Sequence, residues 1–217
     1  LNCDLGVVVA KTDPAAGAKG VSLFLVEADR PGFKKGRKLE KIGQNAADTT
    51  ELFFDDVRVP AANLLGELNK GFIHLMQELA QERFIIAIGA ASKMEAMLAE
   101  TIRYTRERKI FGQTVFDFQN TKFKLAELKA KATAVRIMVD HYLAEHLRRK
   151  LTLEEAAIAK LFTTETLCAG LDDMLQLHGG YGYMMEYPIA RAFVDARVSR
   201  IYGGTSEVMK ELISRGL

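Results

Sequence analysis

The stretch FQNTKFKLAELKAKATAVRIMVDHYLAEH, Phe118 to His146, decides the fold, because its apolar residues return at helical rather than strand spacing. Phe118, Leu125, Leu128, Ala132, Val135, Val139, Tyr142 and His146 fall mostly three or four apart, which places them on one stripe of a long amphipathic helix. Similar patterns run over residues 72–106 and 153–177, and more briefly over 189–198 and 206–214. Helices of this length joined by short turns, here Phe111-Gly112 and Arg149 to Thr152, pack antiparallel into a bundle. The Leu, Ala and Met residues of these helices are read as core and nothing more.

Upstream of Pro60 the character changes. LGVVVA, VSLFLVEA and TTELFFDDVRVP are short runs rich in Val, Leu and Phe, separated by Asp13-Pro14, Pro31-Gly32 and Gly43, which reads as strands and turns. In ELFFDDVRV, Leu52, Phe54, Val57 and Val59 partly alternate with acidic residues, as in a strand with one wet face. TDPAAGAKG, Thr12 to Gly20, is a small-residue connection between two strands. The fold class is therefore α+β, with residues 1–65 in a β-domain and residues 66–217 in an all-α, up-and-down four-helix bundle.

A chain of 217 residues with 48% hydrophobic and 27% charged residues suffices for one sizeable core or two small ones. Thirty basic against 28 acidic side chains leave a net charge of +2, so nothing in the balance calls for nucleic acid or an anionic membrane. Cys3 and Cys168 lie far apart and outside any CxxC pattern, which argues against a disulfide framework or thiolate metal site and fits a reducing compartment. No run of roughly 18 apolar residues marks a transmembrane segment, and no signal peptide is evident. The opening LNCDLGVVVAKTD reads as mid-strand, so sequence is expected to precede it. His178 has no His or Cys at ligand spacing and no HExxH context, so it is read as structural and no metal is expected. The absence of GxSxG removes the serine-hydrolase reading.

Taken alone, Gly203-Gly204-Thr205-Ser206-Glu207 is a glycine turn leading into a helix, with Thr205 or Ser206 as N-cap and amides available to an anion. Its companions give it a second reading. KIGQNAADTTELFFDDVRVPAANLLGELNKGF, RKIFGQTVFDFQ, QLHGGYGYMMEYPIARAFVDARV and IYGGTSEVMKEL, in this order, resemble the acyl-CoA dehydrogenase family over essentially the whole sequence, most closely its long-chain branch. The resemblance implies the end of a middle β-barrel domain followed by the C-terminal helical domain, without the N-terminal helical domain or the first β-strands. It further implies an FAD flavoprotein of fatty acid β-oxidation that converts an acyl-CoA substrate to the trans-2-enoyl-CoA. Electrons would pass to an electron-transferring flavoprotein, and the enzyme would assemble as a homotetramer, a dimer of dimers. Its place would be the bacterial cytoplasm or the mitochondrial matrix.

Residue by residue, the resemblance assigns Arg108 to the FAD diphosphate across a subunit interface, with Phe111 and Gln119 as further flavin contacts. Gln176, Gly179 and Gly180 match the segment at the adenine end, and Thr205 and Glu207 match polar contacts after the signature loop. On their own residue types, Arg108 beside Arg103, Arg106 and Lys109 reads equally as a solvated helix face, and Gly179-Gly180 as a helix C-cap.

Most of the family reads YEGTS where this chain reads YGGTS, so the usual catalytic glutamate is absent at Gly203. A minority, resembling the long-chain and isovaleryl branches, takes the base from the first long bundle helix, where Glu82 stands in QERF. Glu82 is thus the catalytic candidate. Arg83 is assigned to the CoA portion, and Tyr202, Gly203 and Gly204 to the substrate wall. Two expectations follow. Glu82 precedes the apolar run FIIAIGAA, so its carboxylate should be partly desolvated and its pKa raised; and the missing side chain at Gly203 should leave room for longer or branched acyl chains. Competing readings are an isovaleryl-like branched-chain enzyme, a catalytically silent paralogue kept as a binding module, and Glu78, Glu82 and Arg83 as an ordinary polar helix face.

Overall fold

In the computed structural model, which describes residues 2–217, the chain divides into two compact units, one ending at Glu78 and the other beginning at Leu79. In the first, β1 (Leu5–Lys11) pairs antiparallel with β2 (Val21–Glu27), Leu5 opposite Glu27 and Lys11 opposite Val21. Their connection is the small-residue segment, wound into a tight 3-10 turn over Pro14–Gly20, where the Asp13 carboxylate accepts from the Ala15 N–H at 3.1 Å. Only glycine fits at Gly20, because a Cβ there would stand 1.8 Å from the Asp13 carbonyl oxygen.

Strands β3 (Phe33–Lys38) and β4 (Thr50–Phe54) form a separate antiparallel pair, and β5 (Leu64–Leu65) adds to the free side of β2. The central strand β2 is the buried one, through Val21, Leu23 and Val26. The alternation expected across Leu52 to Val59 does not materialise. β4 ends at Phe54, Asp56 turns with φ of 48°, and Leu52, Phe53 and Phe54 are all exposed.

The second unit is built on α1 (Gly71–Glu107) from Leu79 onward, α2 (Gln119–Leu147) and α3 (Leu153–His178), whose bounds follow the apolar periodicities closely. α1 and α2 run antiparallel: the Phe84 ring lies 6.0 Å from His146, while Glu95, eleven residues on, pairs with Arg136 at 2.6 Å. Lys124 and Asp173, 2.9 Å apart, tie the start of α2 to the end of α3. Of the deciding stripe, Leu125, Leu128 and Ala132 are buried with Met94 and Leu98 of α1 and Leu167 and Leu171 of α3, and Val135 and Val139 are buried in a second cluster with Phe84, Ala87 and Ala91 of α1 and Ala159 of α3. Gly170 lets the three helices meet, since a Cβ there would come within 2.9 Å of the Met94 sulfur and 3.3 Å of Leu128. Two nine-residue helices, α4 (Pro188–Ala196) and α5 (Ser206–Ser214), pack on α3.

The turns have clear chemical causes. Thr152 and Glu155 form a reciprocal capping box at the start of α3, the Glu155 N–H donating to Thr152 Oγ1 at 3.1 Å and the Thr152 N–H to Glu155 Oε2 at 2.9 Å. Phe111-Gly112 is more than a helix connection. It is the two-residue turn of a small hairpin, β6 (Lys109–Ile110) with β7 (Gln113–Thr114), and both residues take positive φ, 49° and 83°, as such turns require. No helix among the described residues is long and apolar enough to cross a membrane.

Leu128 is fully buried where α1, α2 and α3 converge, so Leu128→Ala is expected to lower unfolding free energy by about 2–5 kcal/mol in urea titrations followed by circular dichroism.

Candidate active site

The glycine loop is fixed from below by two buried cations. After the turn Arg197–Arg200, the N–H groups of Ile201 and Tyr202 both donate to the Val198 carbonyl. Gly203 and Gly204 then take φ of 66° and 102°, left-handed values that glycine adopts without a Cβ penalty. Thr205 closes the loop as N-cap of α5, its Oγ1 accepting from the Val208 N–H at 3.3 Å. Arg83 Nε of α1 donates to the Gly203 carbonyl at 3.1 Å, and Lys160 Nζ of α3 donates to the Gly204 carbonyl at 2.6 Å.

Both cations are buried, Lys160 completely. Desolvation pushes the pKa of each below its ordinary value, and the neighbouring Arg83 charge lowers Lys160 further. Close by, Glu165 accepts from the Ser206 hydroxyl at 2.6 Å and pairs with Arg200 Nε at 2.8 Å.

Glu82 stands beside this latch. Ile86, one helical turn after it and so on the same stripe of α1, puts its Cδ1 2.6 Å from where a Cβ on Gly203 would be. By helical spacing, position 82 lies toward the side of α1 that carries Ile86. The structure describes the surroundings of both Glu82 and Gly203. Glu82 is exposed in this chain rather than desolvated, because FIIAIGAA is buried only along Phe84, Ala87, Ala90 and Ala91, the face that meets α2 and α3. At Gly203 the far end of the Ile86 side chain stands 2.6 Å from where a Cβ would be, with no other atom outside the adjoining residues within 4 Å of that point. Tyr202 is 41% exposed at the loop's entrance.

A second cluster lies beyond the other end of α1. Arg108, Gln176, Gly179 and Gly180 line one cavity of about 580 Å³ together with Tyr104 and Tyr181. The Arg108 guanidinium lies 5.2 Å from the centre of the Tyr181 ring, a cation–π contact that leaves its donors available to an anion. Gly179 is indeed the C-cap of α3, with φ of 57° and its N–H on the Gln176 carbonyl, and it lines the cavity as well. Phe111 and Gln119 do not line this cavity. Phe111 is 93% exposed at the hairpin tip, and Gln119 is an exposed first residue of α2. Thr205 and Glu207 belong with the glycine loop, where the Glu207 N–H and the Thr205 hydroxyl hold the Glu207 carboxyl below its usual pKa.

His178 closes the cavity floor. Its Nδ1 sits 2.8 Å from the Met174 carbonyl, its ring stacks on Tyr104 at 4.2 Å, and burial lowers its pKa. Lys160 is the site residue that sequence reasoning missed. Its signal was its position on the stripe of Ala156, Thr163, Thr164 and Leu167, where only a lysine with a buried acceptor belongs.

The profile of the acyl-CoA dehydrogenase C-terminal domain matches residues 69–217, and that of the middle domain matches residues 1–57. The chain belongs to the acyl-CoA dehydrogenase family. It is 55% identical to the mitochondrial long-chain specific acyl-CoA dehydrogenase of Sus scrofa, over 98% of this chain and 50% of that protein. The crystal structure of acyl-CoA dehydrogenase from Geobacillus kaustophilus superposes with a TM-score of 0.97 at 48% identity, covering 100% of this chain and 57% of that one. A structure described as the electron transferring flavoprotein of Acidaminococcus fermentans gives 0.94 at 36% identity, covering 99% and 57%. The chain thus spans about half the length of the relatives it matches.

Gly203→Ala adds both a strained positive φ and the Ile86 contact, so it is expected to destabilise by about 1–2 kcal/mol through backbone strain alone, and by more with the clash. In an Ile86→Val background, which deletes Cδ1, the penalty should fall back toward the strain alone. A double-mutant cycle on thermal unfolding reads the difference.

Proposed function

We propose that this chain supplies the base and part of the flavin site of an FAD-dependent acyl-CoA dehydrogenase that acts on long-chain acyl-CoA substrates and yields the trans-2-enoyl-CoA. The observation that carries the reading is the place of Glu82 on α1: Arg83 grips the glycine loop and Ile86 approaches the place of its missing side chain, while Glu82 lies one residue from the first and one turn from the second. This arrangement supports a carboxylate from α1 serving the region that a loop glutamate would otherwise serve.

Glu82 accepts the proton from the carbon next to the thioester carbonyl, and the electron pair of that C–H bond, delocalised toward the thioester oxygen, becomes the new carbon–carbon double bond as hydride leaves the adjacent carbon. FAD supplies the hydride acceptor for the adjacent carbon. The protein's own work is orientation and exclusion of water, with Tyr202, Gly203 and Gly204 walling the acyl chain and Arg83 holding the loop on the CoA side. The Arg108 cavity fits the nucleotide end of such a cofactor. It offers a guanidinium for phosphate oxygens, bare backbone at Gly179 and Gly180, and no carboxylate in its lining to repel an anion.

Glu82 and Glu107, the residue before Arg108, are about 38 Å apart along α1. That separation supports two copies building each flavin site, with Arg108 serving a neighbour's cofactor, and hence the homotetramer. Phe111 and Gln119, both exposed, and Thr205 and Glu207 complete the proposed flavin contacts. Electron-transferring flavoprotein is the proposed electron acceptor, which the likeness to the Acidaminococcus fermentans structure supports. Residues 1–65 would close a middle β-domain and 66–217 form the helical domain. The mitochondrial pig relative supports a matrix location in a eukaryote, and the bacterial one a cytoplasmic location.

Glu82→Gln tests the assignment in the flavin-loaded enzyme. Bleaching of the flavin absorbance by a series of short- to long-chain and branched acyl-CoAs is expected to slow by about 10²–10⁴-fold with flavin still bound. Near wild-type bleaching would remove Glu82 as the base, and a preference for branched over straight long chains would favour the isovaleryl-like alternative.

A further inference from the structure

Three arginines crowd the end of α1, and each is engaged differently. Arg103 pairs with Glu100 at 2.7 Å and with Glu107 at 3.6 Å, and the Arg106 guanidinium lies 4.9 Å from the centre of the Phe116 ring. Arg108 has no carboxylate within ion-pair distance among the described residues, and the ring it meets is Tyr181. Its backbone is fixed: the Arg108 N–H donates to the Tyr104 carbonyl at 2.9 Å, and the Val115 N–H donates to the Arg108 carbonyl at 2.8 Å. The side chain, by contrast, is long and exposed. A guanidinium on such a stem gives up rotamer freedom when it grips a ligand, unless something holds it in place beforehand.

Tyr181 is placed to do that. Its ring stacks on Tyr187 at 5.0 Å, and Tyr187 meets Tyr104 edge-on at 6.1 Å. Tyr104 stacks in turn on His178 and donates its hydroxyl proton to the His178 carbonyl at 3.0 Å. Tyr104 and Arg108 are one helical turn apart, so the contacts form a circuit that leaves the end of α1, crosses the residues after α3 and returns to Arg108. A carboxylate in the place of Tyr181 would occupy the guanidinium fork and cancel its charge. A ring face holds the cation and leaves its donors for phosphate oxygens.

We propose that Tyr181, braced by Tyr187, is a positioning residue that orients Arg108 in advance for the diphosphate of the flavin nucleotide. The inference rests on the flavin reading above. It gives the aromatic residues of the cavity a task of their own, exerted through Arg108 and without contact to the cofactor.

The test reads flavin affinity. Apoenzyme of the full-length protein is reconstituted with FAD, and binding is followed by quenching of flavin fluorescence. Tyr181→Leu is expected to weaken FAD binding about three- to tenfold, whereas Tyr181→Phe, which keeps the ring face, should stay within about twofold of wild type. In an Arg108→Gln background the leucine change should cost nothing further, because the group that Tyr181 orients is gone. Tyr181→Met decides the matter if the leucine variant does not fold. A loss of less than about twofold in the leucine or methionine variant would overturn the inference, as would an equal loss in Tyr181→Phe, which would put the effect in the hydroxyl. A leucine penalty that persists undiminished in the Arg108→Gln background would also overturn it and make Tyr181 a packing element of the cavity only. Wild-type apoenzyme that takes up no FAD would instead strike at the flavin reading.

Discussion

The bond between Lys160 and the Gly204 carbonyl, with its twin from Arg83 to Gly203, is the constraint on which the site depends. Two consecutive residues at positive φ form a pliant turn, and in water such a turn samples many shapes. Here α1 and α3 each contribute one long cationic side chain whose stem is packed in the bundle and whose head ends on backbone oxygen. The loop thereby inherits the rigidity of two helices. The helix that begins at Thr205 starts from a fixed point as a result.

On the proposed assignment of Glu82, the same arrangement offers a way for a catalytic carboxylate to sit on a helix instead of the loop. At Gly203 the place a Cβ would occupy is approached by Ile86 Cδ1. Backbone conformation, the aliphatic neighbour and the nearby Glu82 form one coupled set. Changing the loop glycine without its helix partners forces atoms together, and changing the helix partners alone opens a gap beside the substrate wall.

Most of the helical architecture was legible because a stripe of three-and-four spacing is a direct record of which face is buried. Leu125 through Val139 obey it, and the bounds of α2 and α3 follow. The β-region was less legible. The run through Leu52 and Phe54 carries the composition of a strand, but a turn at Asp56 cuts it short, and composition does not encode where a chain bends. At the site, the motif residues fell into two groups that a linear reading does not separate: the Arg108 cavity and the glycine loop, divided by the length of α1. Lys160 escaped notice because a lysine in a helix is ordinarily solvated, and its acceptor lies 44 residues away in sequence. The apolar run after Glu82 suggested burial that only one face of the helix delivers.

The first strand has a practical corollary. Leu5, Val7 and Val9 on β1 are each more than half exposed, on a strand at the margin of its sheet with one row of backbone groups unpaired by β2. Bare aliphatic side chains next to free hydrogen-bonding edge are the recipe for chain-to-chain strand addition. Overproduced as these residues alone, the polypeptide will tend to collect as aggregates through β1, however sound its helices are, and soluble yield will depend on giving that margin something to pair with.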